Sequence, residues 1–175
     1  MGRMLDVTEN SLEMTRWISA GRVHEAMGLG ARTFAARVAG ALSGPVIWLM
    51  QVGSRDRLCP QGLATAFDTA RLILVEPPDR LGVLQAMEEV LRSGAVPLAV
   101  AETDIPPDLT ESRRLQLAAG AGGGRGLCLI GHPVTNAAET RWDCRPLPSL
   151  SPHRTHQRWE IVKNKKGVLG VWKTA

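Results

Sequence analysis

The 175-residue chain has three cysteines and no C-x-x-C pair, no apolar run long enough to span a membrane, and no complete phosphate-binding loop. Cys59, Cys128 and Cys144 are an odd number without metal-site or disulfide spacing, which suits a reducing compartment. A span needs about 18 or more consecutive apolar residues, and the opening MGRMLDVTEN places Asp6 and Glu9 where a signal peptide needs an apolar stretch. The expected location is therefore the cytoplasm. A phosphate loop reads G-x-x-x-x-G-K-[ST]. GRVHEAMGLGARTF, 21–34, has only Gly28 and Gly30, two residues apart, with Arg32 before Thr33.

What is present is a hydrophobic content of 44%, enough for one sizeable core, and a net charge of +4 that is unevenly placed. Residues 151–175 hold Arg154, Arg158, Lys163, Lys165, Lys166 and Lys173 against Glu160, whereas residues 1–150 balance to −1. A basic end beside a near-neutral body suits an anionic partner, either nucleic acid or an acidic protein face; a solvated lysine-rich edge is the plainer alternative.

Apolar runs of strand length alternate with helical spacing. Strands are expected at 21–27, 45–51, 71–77, 95–101 and 126–132, with helices at Thr33–Leu42, after an Asp79 cap as far as Gly94, and at 111–120. A short helical piece, QGLATAFDTA, follows a polar loop. Alternation through 21–132 predicts a parallel α/β sheet with helices on both faces. Beyond it, TRWDCR alternates, a Pro/Ser-rich connector follows, and 157–163 and 168–173 flank a turn at Gly167 to form a β-hairpin. The expected organisation is an N-terminal arm or short helix over 1–20 and one domain over 21–175. That domain divides into a parallel body, 21–132, and an antiparallel extension with a basic tail, 133–175.

The catalytic groups of a nucleotide hydrolase are incomplete. Such a site wants an acid at the end of one strand for Mg²⁺ and a carboxylate base on a neighbouring strand. PLAVAETD supplies Glu102 and Asp104, but VIWLMQ ends in Gln51, which cannot act as a base. Gly28, Gly30, Arg32, Thr33, Gln51 and Glu102 thus read as a degenerate nucleotide site, the glycine turn being structural. Cys144, His153 and His156 match no standard zinc spacing. Glu88 and Glu89 form a solvated helix face, and His24 and His132 read as structural histidines. No metal or cofactor is expected.

Three stretches, VLQAMEEVLRSGAVPLAVAET at 83–103, ESRRLQLAAGAGG at 111–123 and RWEIVKNKKG at 158–167, resemble the ATPase core of the RecA recombinase family and, within it, the ImuA family. The resemblance spans roughly residues 20–175 and implies a RecA-like, P-loop NTPase-type fold. It places the phosphate-loop lysine on Ala31 or Arg32, the catalytic glutamate on Gln51, the Mg²⁺-associated acid on Glu102 and the nucleotide-sensing glutamine on His132. Each position departs from the active pattern. The two DNA-holding loops would fall on 104–109 and 132–138. The resemblance further implies a non-catalytic adaptor in SOS mutagenesis and translesion synthesis, with an ImuB-like inactive polymerase, RecA and a specialised polymerase as partners. Candidate contact residues are Arg145, Arg158, Trp159, Lys163, Lys165, Lys166 and Trp172. Direct DNA binding by the basic hairpin, a residual nucleotide switch and a SulA-like cell-division inhibitor stand as alternatives.

Overall fold

The computed structural model describes residues 4–6, 16–149 and 155–174, and within them a single nine-stranded sheet organises the chain. The strands are β1 (Met4–Asp6), β2 (Val23–Met27), β3 (Val46–Leu49), β4 (Leu72–Val75), β5 (Leu98–Thr103), β6 (Arg125–Ile130), β7 (Thr140–Leu147), β8 (His156–Asn164) and β9 (Val171–Thr174). Their spatial order is β1-β9-β8-β7-β2-β6-β5-β3-β4. From β7 across to β4 every pairing is parallel, whereas β7–β8 and β8–β9 are antiparallel. The fold is α/β, with a mostly parallel sheet that continues into antiparallel C-terminal strands.

Helices α1 (Ala31–Gly40), α2 (Pro60–Leu63), α3 (Arg80–Ser93) and α4 (Leu109–Gly122) cover the sheet. Alternation along the strands sorts the core into two layers. Leu98, Val100, Leu127 and Leu129 pack with Phe34, Val38 and Leu63 of α1 and α2; Ala99, Ala101, Cys128 and Ile130 pack with Val83, Met87, Leu91 and Leu115 of α3 and α4. Helices on both faces are what the apolar runs predict.

Local signals account for the helix ends. Asp79 Oδ1 accepts from Gly82 N at 2.7 Å, and Gly94 closes α3 in the left-handed region at φ 65°. Helix α4 starts earlier than expected because Asp108 and Glu111 form a capping box: Asp108 accepts from Glu111 N at 2.8 Å and Glu111 from Asp108 N at 2.9 Å.

The C-terminal strands pair antiparallel with one another, as expected, and β7 also lies parallel to β2, so β7, β8 and β9 carry the main sheet onward. Two expectations change. The apolar run of β4 forms an edge strand, leaving Ile73 and Leu74 exposed. Part of the N-terminal arm is a strand, β1, paired in parallel with β9; residues 7–15 of that arm lie outside the described residues.

Candidate functional site

The glycine turn after β2 is packed against the sheet itself. Gly30 N donates to the Cys144 carbonyl at 2.9 Å, Ala31 N to the Gly28 carbonyl at 3.0 Å, and Phe34 N to the Gly30 carbonyl at 2.9 Å. A phosphate cradle needs such N–H groups unpaired and aimed at the ligand. Gly28 sits at φ 90°, and a Cβ there would come within 2.5 Å of the Cys144 carbonyl oxygen. A Cβ on Gly30 would meet the Gln157 side chain at 2.4 Å. Both glycines are required by close approach of β7 and β8, and Leu29 between them is 92% exposed. Thr33 is exposed on α1.

The remaining residues of the degenerate site meet in a cleft of about 520 Å³ at the carboxyl ends of β3 and β5. The chain leaves β3 outward to β4 but leaves β5 the other way to β6, so the cleft opens where the winding reverses, the usual crevice of an open α/β sheet. Arg32 grips Glu102 through Nε–Oε1 at 2.9 Å and Nη2–Oε2 at 2.7 Å, and its Nη2 also donates to the Asp56 carbonyl at 2.6 Å. Trp48 Nε1 donates to Glu102 Oε1 at 2.8 Å. The hydrogen bond to Glu102 raises the Arg32 pKa further. The guanidinium and the carboxylate that would serve phosphate and Mg²⁺ therefore hold each other. Gln51 is exposed and donates weakly to the Pro78 carbonyl at 3.4 Å.

Sequence reasoning did not select Arg55, Arg80 or Thr103 for this cleft, nor Trp48, which holds Glu102 from the core. Arg80 pairs with Glu111 at 2.6 Å and donates to the Ile105 and Pro106 carbonyls at 3.0 Å each. That hydrogen bond holds the Glu111 carboxyl below its ordinary range. Thr103 Oγ1 is buried without a partner within the described residues. Position at a strand's carboxyl end would have found Thr103, and position just after a helix cap Arg80; Arg55, in a loop, carries no such signal.

The loops expected to hold DNA are tied down. Arg80 clamps 105–106, and Asn136 anchors 132–138 by donating to Glu25 Oε1 at 2.5 Å and to the Pro107 carbonyl at 3.0 Å. Beneath it Glu25 and Arg141 form a buried ion pair at 2.7 Å, and Arg141 also reaches the Val134 carbonyl at 2.5 Å. Lys163 donates to the Asn136 carbonyl at 2.7 Å, and burial lowers its pKa. His132 is exposed just past β6.

The candidate contact residues divide. Trp159 and Trp172, expected as surface anchors, are buried: Phe34 packs at a tilt against Trp142 at 4.8 Å and edge to face against Trp159 at 5.2 Å, and Trp142 packs at a tilt against Trp172 at 5.1 Å. Their rings fasten the C-terminal strands to α1. Arg145 pairs with Asp143 at 2.6 Å and Arg158 with Glu160 at 2.8 Å. Lys165 Nζ donates to the Ala137 carbonyl at 2.7 Å, and Lys166 is exposed. Cys144 is buried with its thiol pushed well up by desolvation, and His153 lies outside the described residues.

His24 is a further buried titratable group beneath this surface. Its Nδ1 faces Thr140 Oγ1 at 2.8 Å and its Nε2 the Ser19 carbonyl at 3.2 Å. The carbonyl can only accept, which puts the proton on Nε2 and makes Thr140 the donor to Nδ1. Thr140 Oγ1 in turn accepts from Trp142 Nε1 at 2.9 Å.

The fold is shared with a solved α/β protein. SulA from Pseudomonas aeruginosa aligns with a TM-score of 0.50 and 23% identity over 62% of this chain and 98% of its own, a likeness of fold alone. No family model matches the chain. Among curated proteins, Protein ImuA of Caulobacter vibrioides, from strains NA1000 / CB15N and ATCC 19089 / CIP 103742 / CB 15, is 33% identical over 147 residues, 74% of this chain. The chain is homologous to ImuA, as its helix and hairpin motifs imply, and spans 59% of the length of those relatives. Among the described residues no helix is long and apolar enough to cross a membrane.

Proposed function

We propose that the chain is a non-catalytic adaptor of the DNA-damage-induced mutagenesis system, built on a RecA-like body and acting in the cytoplasm through protein contacts. ImuA homology supports the system. The observation that carries the non-catalytic part is the Gly30 amide bound to the Cys144 carbonyl, with Arg32 held by Glu102: the groups that would meet a nucleotide are engaged within the fold. Its partners are an ImuB-like inactive polymerase, RecA and a specialised polymerase. The contact surface is the exposed part of the C-terminal hairpin around Lys165 and Lys166 rather than the buried tryptophans.

Deleting the tail would remove two strands of the sheet, so the test is a surface substitution. Co-purification with the ImuB-like polymerase is expected for the native chain and lost on K165E together with K166E, with the melting temperature retained. Undiminished co-purification would overturn the surface, and absence of any co-purification with the polymerases or RecA would overturn the adaptor reading. Equilibrium binding of a labelled ATP analogue checks the rest: no binding is expected, and saturable binding would overturn the non-catalytic reading.

A further inference from the structure

The amino ends of β2, β6 and β7 lie on the side of the sheet opposite the cleft, and cations gather there. Arg22 precedes β2 and Arg125 opens β6; β8 runs antiparallel to β7 and so delivers Lys165 and Lys166 to the same side. The grouping is close. Arg22 and Lys165 reach the same oxygen of Glu139, at 3.8 and 4.0 Å. Arg125, Lys166 and Arg22 are all near enough to act as like charges on buried His24.

These charges are poorly balanced. Glu139 is the carboxylate that pairs with any of them among the described residues, and its side chain is only 12% exposed. Arg125 donates Nε to the Ile18 carbonyl at 2.7 Å and has no ion pair among the described residues. Beside the cations the hairpin turn presents two aliphatic side chains, Val168 at 53% and Leu169 at 62% exposure. The turn is shaped by Asn164 Nδ2 donating to the Val168 carbonyl at 2.7 Å and by Gly167 at φ 78°. Exposed aliphatics next to cations that one carboxylate only partly balances match a ligand that is acidic and apolar at once. A phosphate backbone would use the charges and leave Val168 and Leu169 without a partner.

We infer that this face docks an acidic segment of a partner protein, its carboxylates set against Arg22, Arg125 and Lys166 and an apolar side chain against Val168 and Leu169. The inference rests on the adaptor reading and names the partner's chemistry.

Fluorescence anisotropy with the full chain tests it. The probes are a short labelled peptide of alternating glutamate and leucine, the same peptide with lysine for glutamate or serine for leucine, and labelled oligothymidylate. The glutamate–leucine peptide should bind, with affinity falling about tenfold in R22E combined with K166E and severalfold in L169S. All three side chains are at the surface, so the variants should keep the native melting temperature. No binding of that peptide, equal binding of the lysine peptide, or tighter and steeply salt-dependent binding of oligothymidylate would each overturn the inference. If the peptide fails while the ImuB-like polymerase still co-purifies and is lost on K165E with K166E, the partner chemistry is wrong and the adaptor reading stands. If the peptide binds and no polymerase or RecA co-purifies, the docking site stands and the adaptor reading falls.

Discussion

Gly30 and Cys144 are 114 positions apart in sequence, yet the amide of one is hydrogen-bonded to the carbonyl of the other at 2.9 Å. That contact turns a strand–glycine–helix element, the usual geometry of a phosphate site, into a joint between the parallel body and the C-terminal strands. The same joint fixes what a side chain at either glycine would do.

G28A is expected to destabilise the chain by about 1–3 kcal/mol, because it combines a positive φ with backbone contact at 2.5 Å. G30A meets mainly the end of the Gln157 side chain, which can be shortened. Adding Q157A should therefore recover part of the G30A loss and none of the G28A loss. Urea midpoints of the four variants read this directly; equal rescue of both glycine variants would contradict the assigned contacts.

The alternation of apolar strands and capped helices made the two-faced α/β body legible, since each element carries its own local signal: Asp79 before α3, Gly94 after it, Gly167 in the hairpin. What was not legible depends on pairing across long sequence separations. The β7–β2 register that merges the C-terminal strands into the sheet has no local signature, nor does the β1–β9 pairing. Trp159 and Trp172 stand in alternating strands beside charged residues, and only their packing on Phe34 of α1 and on Trp142 shows that their face is the inner one. Arg32, Gln51 and Glu102 were found from motif positions, whereas Arg80 enters the cleft through helix position and Trp48 supports Glu102 from the core through strand order.

Replacing Arg32 with alanine removes three hydrogen bonds and leaves Glu102 with Trp48 Nε1. The pair is partly solvated, with side-chain exposures of 34% and 19%, so screening limits the cost to about 1–2 kcal/mol. Trp48 is fully buried, and its indole N–H resonance, identified by its loss in W48F, reports the contact. R32A and E102Q should both shift that resonance while leaving the far-ultraviolet circular dichroism native. An unchanged resonance in both would mean that the Arg32–Glu102–Trp48 contact does not form in solution.

His24 gives the chain an acid sensitivity of known sign. Burial lowers its pKa from 6.5 to about 4, so the folded state keeps it neutral while the unfolded state protonates near 6.5. Above pH 6.5 the group costs nothing by protonation; as pH falls toward 4 the unfolded state takes up the proton and stability is lost, the loss reaching about 2 kcal/mol at pH 5. Stability measured by urea unfolding should fall across that window in the native chain. H24Q, which cannot titrate, should lose stability at pH 7 but show a shallower slope between pH 6.5 and 4. An identical slope in both proteins would assign the acid sensitivity elsewhere.

The strongest stability prediction concerns Glu25 and Arg141, whose side chains are 1% and 9% exposed at 2.7 Å. Two charges removed from water recover their solvation cost only through complete pairing, and this pair is completed by Asn136 and the Val134 carbonyl. E25A leaves the guanidinium buried with only neutral acceptors and should cost about 3–5 kcal/mol. Removing both charges is a different perturbation: E25L with R141M fills the same space and strands no ion, so its loss should be smaller than that of E25A alone. N136A should fall between them, because it also releases the 132–138 loop and the Lys163 contact. Guanidinium unfolding of the three variants checks the order. A double variant less stable than E25A would mean that the pair contributes net stabilisation beyond mutual neutralisation; one close to native would mean that burial of these charges serves the position of the loop rather than the stability of the sheet.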